Sequence, residues 1–238
     1  MQTLSLLGRE TARIVLHAAC VVCDRELPWR ARTASCCGRC WAALPAIASH
    51  KCVSCALPIP EGDRCIDCMR DPLPVAWTEA WGHYRGALER VLHAFKYDRH
   101  DFFAAPLAEL MESTLRARGD VAFDAVVPVP MHRSKLRRRG YNQAELLARA
   151  LARRIGAPCV PALLTKRGET PAQSKLARAE RAANVRRAFA AAPRANGRGI
   201  LLVDDVSTTG ETIRACAGVL LRAGAARVCA AVVAKTEG

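Results

Sequence analysis

The 238-residue sequence predicts an α/β fold, a parallel sheet flanked by helices, preceded by a small cysteine-rich metal module. Three features carry that prediction. From about Val75 onward, apolar runs of strand length alternate with amphipathic helical patterns, as in a layered α/β sheet. Nine of the twelve cysteines fall between Cys20 and Cys68, and the region up to about residue 76 contains Pro28, Pro45, Pro58, Pro60, Pro72 and Pro74, which discourage long regular elements. The charge is also uneven: residues 131–187 hold 15 Lys or Arg against 3 Asp or Glu, nearly all of the formal net +14. Two units follow, residues 1–76 as the cysteine module and 77–238 as the α/β domain.

Taken in order, residues 77–84 read as a strand, and 86–97 as a helix with Leu88, Val91, Leu92 and Phe95 on one face. Residues 121–129 form a short apolar run stopped by Pro128 and Pro130, as expected of a buried parallel strand. A helix over 142–155 turns Leu146, Leu147, Ala150 and Leu151 inward and ends at Gly156, Ala157 and Pro158. Residues 159–164 are a candidate strand, and 166–187 a long polar, basic segment. A strand at 199–203, a helix at 210–222 and a strand at 227–234 complete the pattern.

Composition excludes several classes. With 51% hydrophobic and 24% charged residues, the chain is neither a disordered tail nor a membrane bundle. Arg9, Glu10 and Arg13 interrupt the apolar patches of residues 1–19, which breaks up a signal-peptide core. No run approaches the ~18 apolar residues of a membrane span. The expectation is a cytoplasmic protein whose thiols stay reduced.

The cysteines form two similar halves: Cys20 and Cys23 with Cys37 and Cys40, then Cys52 and Cys55 with Cys65 and Cys68. A two-residue spacer lets a tight turn point both sulfurs at one ion, and two such pairs make a tetrahedral thiolate set. Two structural zinc ions are therefore expected, in ribbons arranged in series. Cys36, next to Cys37, leaves one ligand assignment open. A thiol-redox role for one pair is the alternative, disfavoured because no pair opens a helix in a β-α-β context. Cys159, Cys216 and Cys229 lie in apolar surroundings and read as core residues.

The most informative stretch runs from Ile200 to Thr212: an apolar strand, the acidic pair Asp204 and Asp205, the small hydroxylated loop Ser207, Thr208, Thr209 and Gly210, then a helix. Backbone N–H groups at a helix start bind phosphate, and glycine permits close approach. Two carboxylates just ahead can accept hydrogen bonds from a ribose diol, alone or through Mg2+. Ordinary helix capping explains such residues in isolation. Their position at the end of a buried strand, where open α/β sheets bind ligands, favours a site. No lysine follows the glycine, so this is not a Walker loop.

This order of strand, acidic pair and T-T-G-x-T loop resembles the type I phosphoribosyltransferases, which bind phosphoribosyl pyrophosphate (PRPP). The resemblance assigns Asp204 and Asp205 to the ribose hydroxyls, as the catalytic pair, and Thr208, Thr209, Gly210 and Thr212 to the 5′-phosphate, with Mg2+ accompanying PRPP. Glu211 stands where that family often has a small residue, so its carboxylate must point away from the phosphate. Further segments resemble the ComF family of competence-associated, phosphoribosyltransferase-like proteins. They are Phe95-Lys96-Tyr97, the stretch from Val127 through His132 and Arg139 to Gln143, and Thr170 to Gln173 with Lys175, Arg178, Arg181 and Asn184, behind a double zinc ribbon. That resemblance implies a pyrophosphate loop at 130–135 and a closing loop at 166–187. His132, Arg133, Lys135, Arg139, Gln173, Arg178 and Arg181 would then meet pyrophosphate, and Lys235 and Thr236 would lie near a base or acceptor. Arginine suits the task because it binds phosphate oxygens bidentately. The remaining histidines show no ligand spacing.

Three functions fit. One is PRPP binding by a protein that handles incoming single-stranded DNA in natural transformation, beside DNA-uptake or DNA-processing partners. Another is an active phosphoribosyltransferase of nucleotide salvage with an unknown acceptor. The third is a zinc-ribbon docking module on an ancestral scaffold, against which the retained Asp204, Asp205 and Gly210 argue.

Overall fold

The computed structural model describes residues 19–27, 35–47, 50–119, 122–167 and 188–237. Its central sheet contains β1 (Thr78–His83), β2 (Ala125–Pro128), β5 (Gly199–Ser207) and β6 (Arg227–Lys235), all parallel, in the order β1-β6-β5-β2. A small antiparallel pair, β3 (Leu164–Lys166) and β4 (Phe189–Ala191), stands apart from it. The helices are α1 (Gly38–Ala42), α2 (Ile66–Arg70), α3 (Gly86–Tyr97), α4 (Ala104–Arg118), α5 (Arg133–Arg139), α6 (Gln143–Ile155) and α7 (Glu211–Arg222).

The continuous apolar runs of β5 and β6 follow from burial on both faces. Leu201 and Val203 of β5, with Cys229, Ala231 and Val233 of β6, pack against α3, α4 and α6. Ile200 and Leu202, with Val228, Ala230 and Val232, face α7 and the β3–β4 side. Each half of the cysteine module joins a different one of these layers. Cys20, Leu27, Cys36 and Leu44 pack with the α3–α4 layer, and Trp41 stacks on Phe103 at 6.3 Å. Cys52, Cys55, Cys68 and Leu73 join the α7 layer.

The module also covers the exposed edge of β1. Ile47 N–H donates to the Trp81 carbonyl at 2.9 Å, and His83 N–H to the Pro45 carbonyl at 2.8 Å, so the segment around Ala46 adds an antiparallel bridge to Gly82. A Cβ at Gly82 would lie 2.7 Å from the Pro45 oxygen, so only glycine permits this approach.

Several sequence expectations change. Helix α4 falls outside the expected elements. Pro106 sits in its first turn, where a missing N–H is tolerated, and so does not break it. The expected strand at 159–164 reduces to one bridge, Cys159 to Val126, because Pro161 starts a 3-10 turn and pairing resumes only at Leu164. Residues 133–139, in a stretch expected to make turns and a phosphate loop, form helix α5, capped by the His132 ring accepting from Ser134 N–H at 3.3 Å. Strand β5 extends past Val203 through the acidic pair to Ser207, held by β6 as far as Lys235. Among the described residues no helix is long and apolar enough to cross a membrane.

Candidate functional site: an acidic pair between a phosphate loop and a ring of cations

The site lies at the C-terminal ends of β2 and β5, where the parallel sheet opens. Asp204 lines two adjoining concavities. One, of about 40 Å³, is formed by Ser207, Thr208, Thr209, Gly210 and the first turn of α7. The other, of about 200 Å³, lies between the end of β2, the α5–α6 segment, the end of α3 and Lys166. One carboxylate thus bridges a loop of backbone donors and a cleft lined with cations.

In the loop, Gly210 has φ +81°, a left-handed conformation that relieves strain before α7 begins. Thr208 and Thr209 are exposed, whereas the Ser207 hydroxyl is buried and has no hydrogen-bond partner among the described residues. A buried orphan hydroxyl beside the N-terminus of a twelve-residue helix fits a bound phosphate, which would satisfy both. Glu211 lies 3.5 Å from Arg214 Nε, so its carboxylate is balanced within the helix.

The acidic pair is held asymmetrically. Asp205 is 7% exposed, accepts from Val206 N–H at 2.7 Å and lies 3.1 Å from Lys96 Nζ. Asp204 accepts from Asp205 N–H at 2.9 Å. Burial and the adjacent Asp205 carboxylate push Asp204 up to about 8. A carboxyl so placed favours a partner that donates hydrogen bonds or carries positive charge.

The cations come from separate elements: Lys96 closes α3, His132 and Lys135 start α5, Arg139 ends it and Lys166 ends β3. Burial, and Lys135 nearby, lower the pKa of Lys166. His132 Nδ1 accepts from Ser134 N–H, which places the ring proton of the neutral form on Nε2, a donor for an anion. Arg139 donates to Gln143 Oε1 at 2.7 Å and stacks over Tyr97 at 4.7 Å.

Residues 139–143 tie these elements together. Gln143, 2% exposed, donates to the Lys96 carbonyl at 3.3 Å; Tyr141 donates to the Phe95 carbonyl at 2.5 Å; Asn142 donates to the Val129 carbonyl at 3.0 Å. Of the residues expected at pyrophosphate, His132, Lys135 and Arg139 line the cleft, while Arg133 is exposed and does not line it. Gln173, Arg178 and Arg181, with the rest of 168–187, lie outside the described residues, as do residues 1–18. Sequence reasoning named Lys96 only within the Phe95-Lys96-Tyr97 resemblance and Lys166 only as the start of the closing loop, and singled out neither as a site residue. A lone lysine at a helix end or strand end carries no local signal, and only the packing brings these two to the cleft beside Asp204 and Asp205. Lys235, expected near a base, is 5% exposed and donates to the Thr208 carbonyl instead.

Both cysteine groups are assembled. Cys20, Cys23, Cys37 and Cys40 form one, and Cys52, Cys55, Cys65 and Cys68 the other, with the sulfurs of each within 4.8 Å of one another. The Cys23–Cys37 and Cys55–Cys65 separations of 3.9 and 3.8 Å match the edge of a tetrahedron with ~2.3 Å zinc–sulfur bonds. Against the effect of burial, backbone N–H donors bring Cys20 down to about 6 and Cys52 down to about 7, favouring thiolate. Cys36 lies outside the group. Burial and the neighbouring Cys20 push it up to about 12, so it remains a thiol. Zinc fits both sets, and four thiolates leave no open position for water.

The parallel sheet, the acidic pair at the end of β5 and the threonine-glycine loop before α7 define a type I phosphoribosyltransferase fold carrying an N-terminal double zinc ribbon. The model of the phosphoribosyl transferase domain matches residues 139–237, and that of the double zinc ribbon domain residues 11–69. DNA utilization protein YhgH of Salmonella typhimurium is 33% identical over 182 residues, covering 74% of this chain and 80% of its own. Competence protein F of Haemophilus influenzae is 28% identical over 223 residues, covering 91% and 90%. Competence protein ComFC of Bacillus subtilis is 28% identical over 223 residues, covering 87% and 90%. The chain belongs to the ComF family.

Proposed function

We propose that the chain binds PRPP with Mg2+ and serves natural competence, handling incoming single-stranded DNA in the cytoplasm beside DNA-uptake or DNA-processing proteins. One observation carries the ligand reading: Asp204 joins the phosphate loop to the cation-lined cleft. Two concavities that meet at Asp204 suit a sugar with a phosphate at one end and a pyrophosphate at the other. Residues 208–212 hold the 5′-phosphate, Asp204 and Asp205 the ribose hydroxyls, and His132, Lys135, Arg139 and Lys166 the pyrophosphate. Asp204 and Asp205 would hold Mg2+, which would supply neutralisation of the ligand's negative charge. The competence role is supported by the relatives named Competence protein F and ComFC. Residues 77–238 form the ligand-binding unit in this reading, and residues 1–76 the zinc unit.

Calorimetric titration of PRPP in Mg2+ tests the ligand: saturable binding is expected, lost in Asp204→Asn with Asp205→Asn. Competition tests the shared surface. PRPP is expected to weaken single-stranded DNA binding, and Arg137→Ala with Arg138→Ala, both exposed beside the cleft, to weaken it further. Deletion of the gene lowers transformation frequency in this reading, whereas a salvage enzyme's loss leaves it unchanged. The second reading, transfer of ribose 5-phosphate from PRPP to an acceptor, is favoured by the intact acidic pair. Product analysis with PRPP, Mg2+ and candidate acceptors decides it.

A further inference from the structure

The two cysteine groups are unequal in what they touch. The first packs with the α3–α4 layer, where the Val22 carbonyl accepts from Arg90 at 3.0 Å. The second reaches the phosphate loop by two routes. Cys68 lies in α2, and the chain leaves this helix through Asp71, Pro72 and Leu73. Arg214, in the first turn of α7, donates to the Asp71 and Pro72 carbonyls at 3.0 Å each and pairs with the Asp71 carboxylate at 3.1 Å. Leu73, 5% exposed, packs against Gly210, where an added Cβ would meet Leu73 Cδ1 at 3.0 Å. Leu73 is fixed in turn by its N–H bond to Ser54 Oγ at 2.9 Å, within the turn between Cys52 and Cys55.

The strand end of the loop is held from β6, where the buried Lys235 ammonium donates to the Thr208 carbonyl and Thr236 N–H to the Ser207 carbonyl at 3.1 Å. The helix end is the one braced by the second ribbon, through Leu73 on Gly210 and through Asp71 and Pro72 on Arg214.

We propose that the second four-cysteine group is a positioning element of the phosphate loop, so that the ion bound there sets the loop's anion-binding shape through Leu73 and Asp71. The idea rests on the reading of 207–212 as a phosphate site. Its reach is regulatory: conditions that strip this zinc lower phosphate affinity without touching a ligand-binding residue.

The test uses the zinc-loaded full chain and three measurements: zinc content, amide exchange without ligand, and PRPP affinity in Mg2+. Cys65→Ser is expected to lose one zinc, quicken exchange at 207–214 at least tenfold with residues 125–128 unchanged, and weaken PRPP binding at least tenfold. Should that variant not fold, Leu73→Ala carries the test: it keeps both zinc ions and shifts exchange and affinity in the same direction, and Leu73→Met restores both. Cys23→Ser loses the other zinc and leaves exchange at 207–214 as in wild type. Unchanged exchange there in Cys65→Ser and Leu73→Ala overturns the proposal, as does equal quickening throughout the sheet. If exchange responds as expected but wild type binds no PRPP, the coupling stands and the ligand reading falls.

Discussion

Asp204 is the residue at which chemistry and stability oppose each other. Its carboxyl, pushed up to about 8, holds its proton more tightly in the folded state than in the unfolded chain. Wild type therefore loses stability as pH rises from about 4 to about 8, since the unfolded state releases the proton first. Asp204→Asn removes that dependence. Thermal denaturation is expected to show the variant gaining on wild type steadily as pH rises across this interval, while its PRPP binding disappears. A constant difference with pH would contradict the assigned environment. Gly210 is sensitive in the opposite sense. Gly210→Ala meets both a positive φ and Leu73, and is expected to lower stability by about 1–3 kcal/mol and loosen phosphate binding, read by denaturant titration and calorimetry.

At the scale of elements, the parts most legible in the sequence were those whose local pattern matches their environment. The α3 helix matches its expected bounds because Leu88, Val91, Leu92 and Phe95 fall on one buried face. The β5–loop–α7 unit was readable because a buried parallel strand, an acidic pair and a glycine occur in sequence order. Helix α4 was not, since its apolar face is less regular and Pro106 reads as a breaker out of context. The cleft wall was hidden for another reason: α3, α5, α6 and β3 each contribute one or two cations, and only tertiary packing collects them. The α6 start is the joint, so Gln143→Ala, which strands the Lys96 carbonyl and frees Arg139, is expected to cost about 1–3 kcal/mol. Denaturant unfolding and PRPP titration of that variant should both register the loss. Within the sheet, Leu201→Ala leaves a cavity in a fully buried site, at about 2–5 kcal/mol by the same unfolding measurement.

For the whole molecule, the double ribbon is built into the α/β domain. Its halves clasp opposite layers of the sheet and its middle segment covers the β1 edge. The cysteine spacing predicted the two metal sets but not this embrace, because the contacts join residues far apart in sequence. Metal analysis is expected to return two zinc ions per chain; one or none would remove a ribbon. The clustered positive charge also takes on a more specific meaning. His132, Lys135, Arg139 and Lys166 face the acidic pair, while Arg133, Arg137 and Arg138 remain on the outside of α5. The central claim is that acid pair and cations form one PRPP site, and the dissociation constant for PRPP in Mg2+ tests it most directly. Wild type should bind at one site per chain, and Lys96→Met, which removes the partner of Asp205, should bind about 10–100-fold more weakly, the worth of a lost charge-assisted contact. No saturable binding to wild type, or equal affinity in the Lys96 variant, would contradict it.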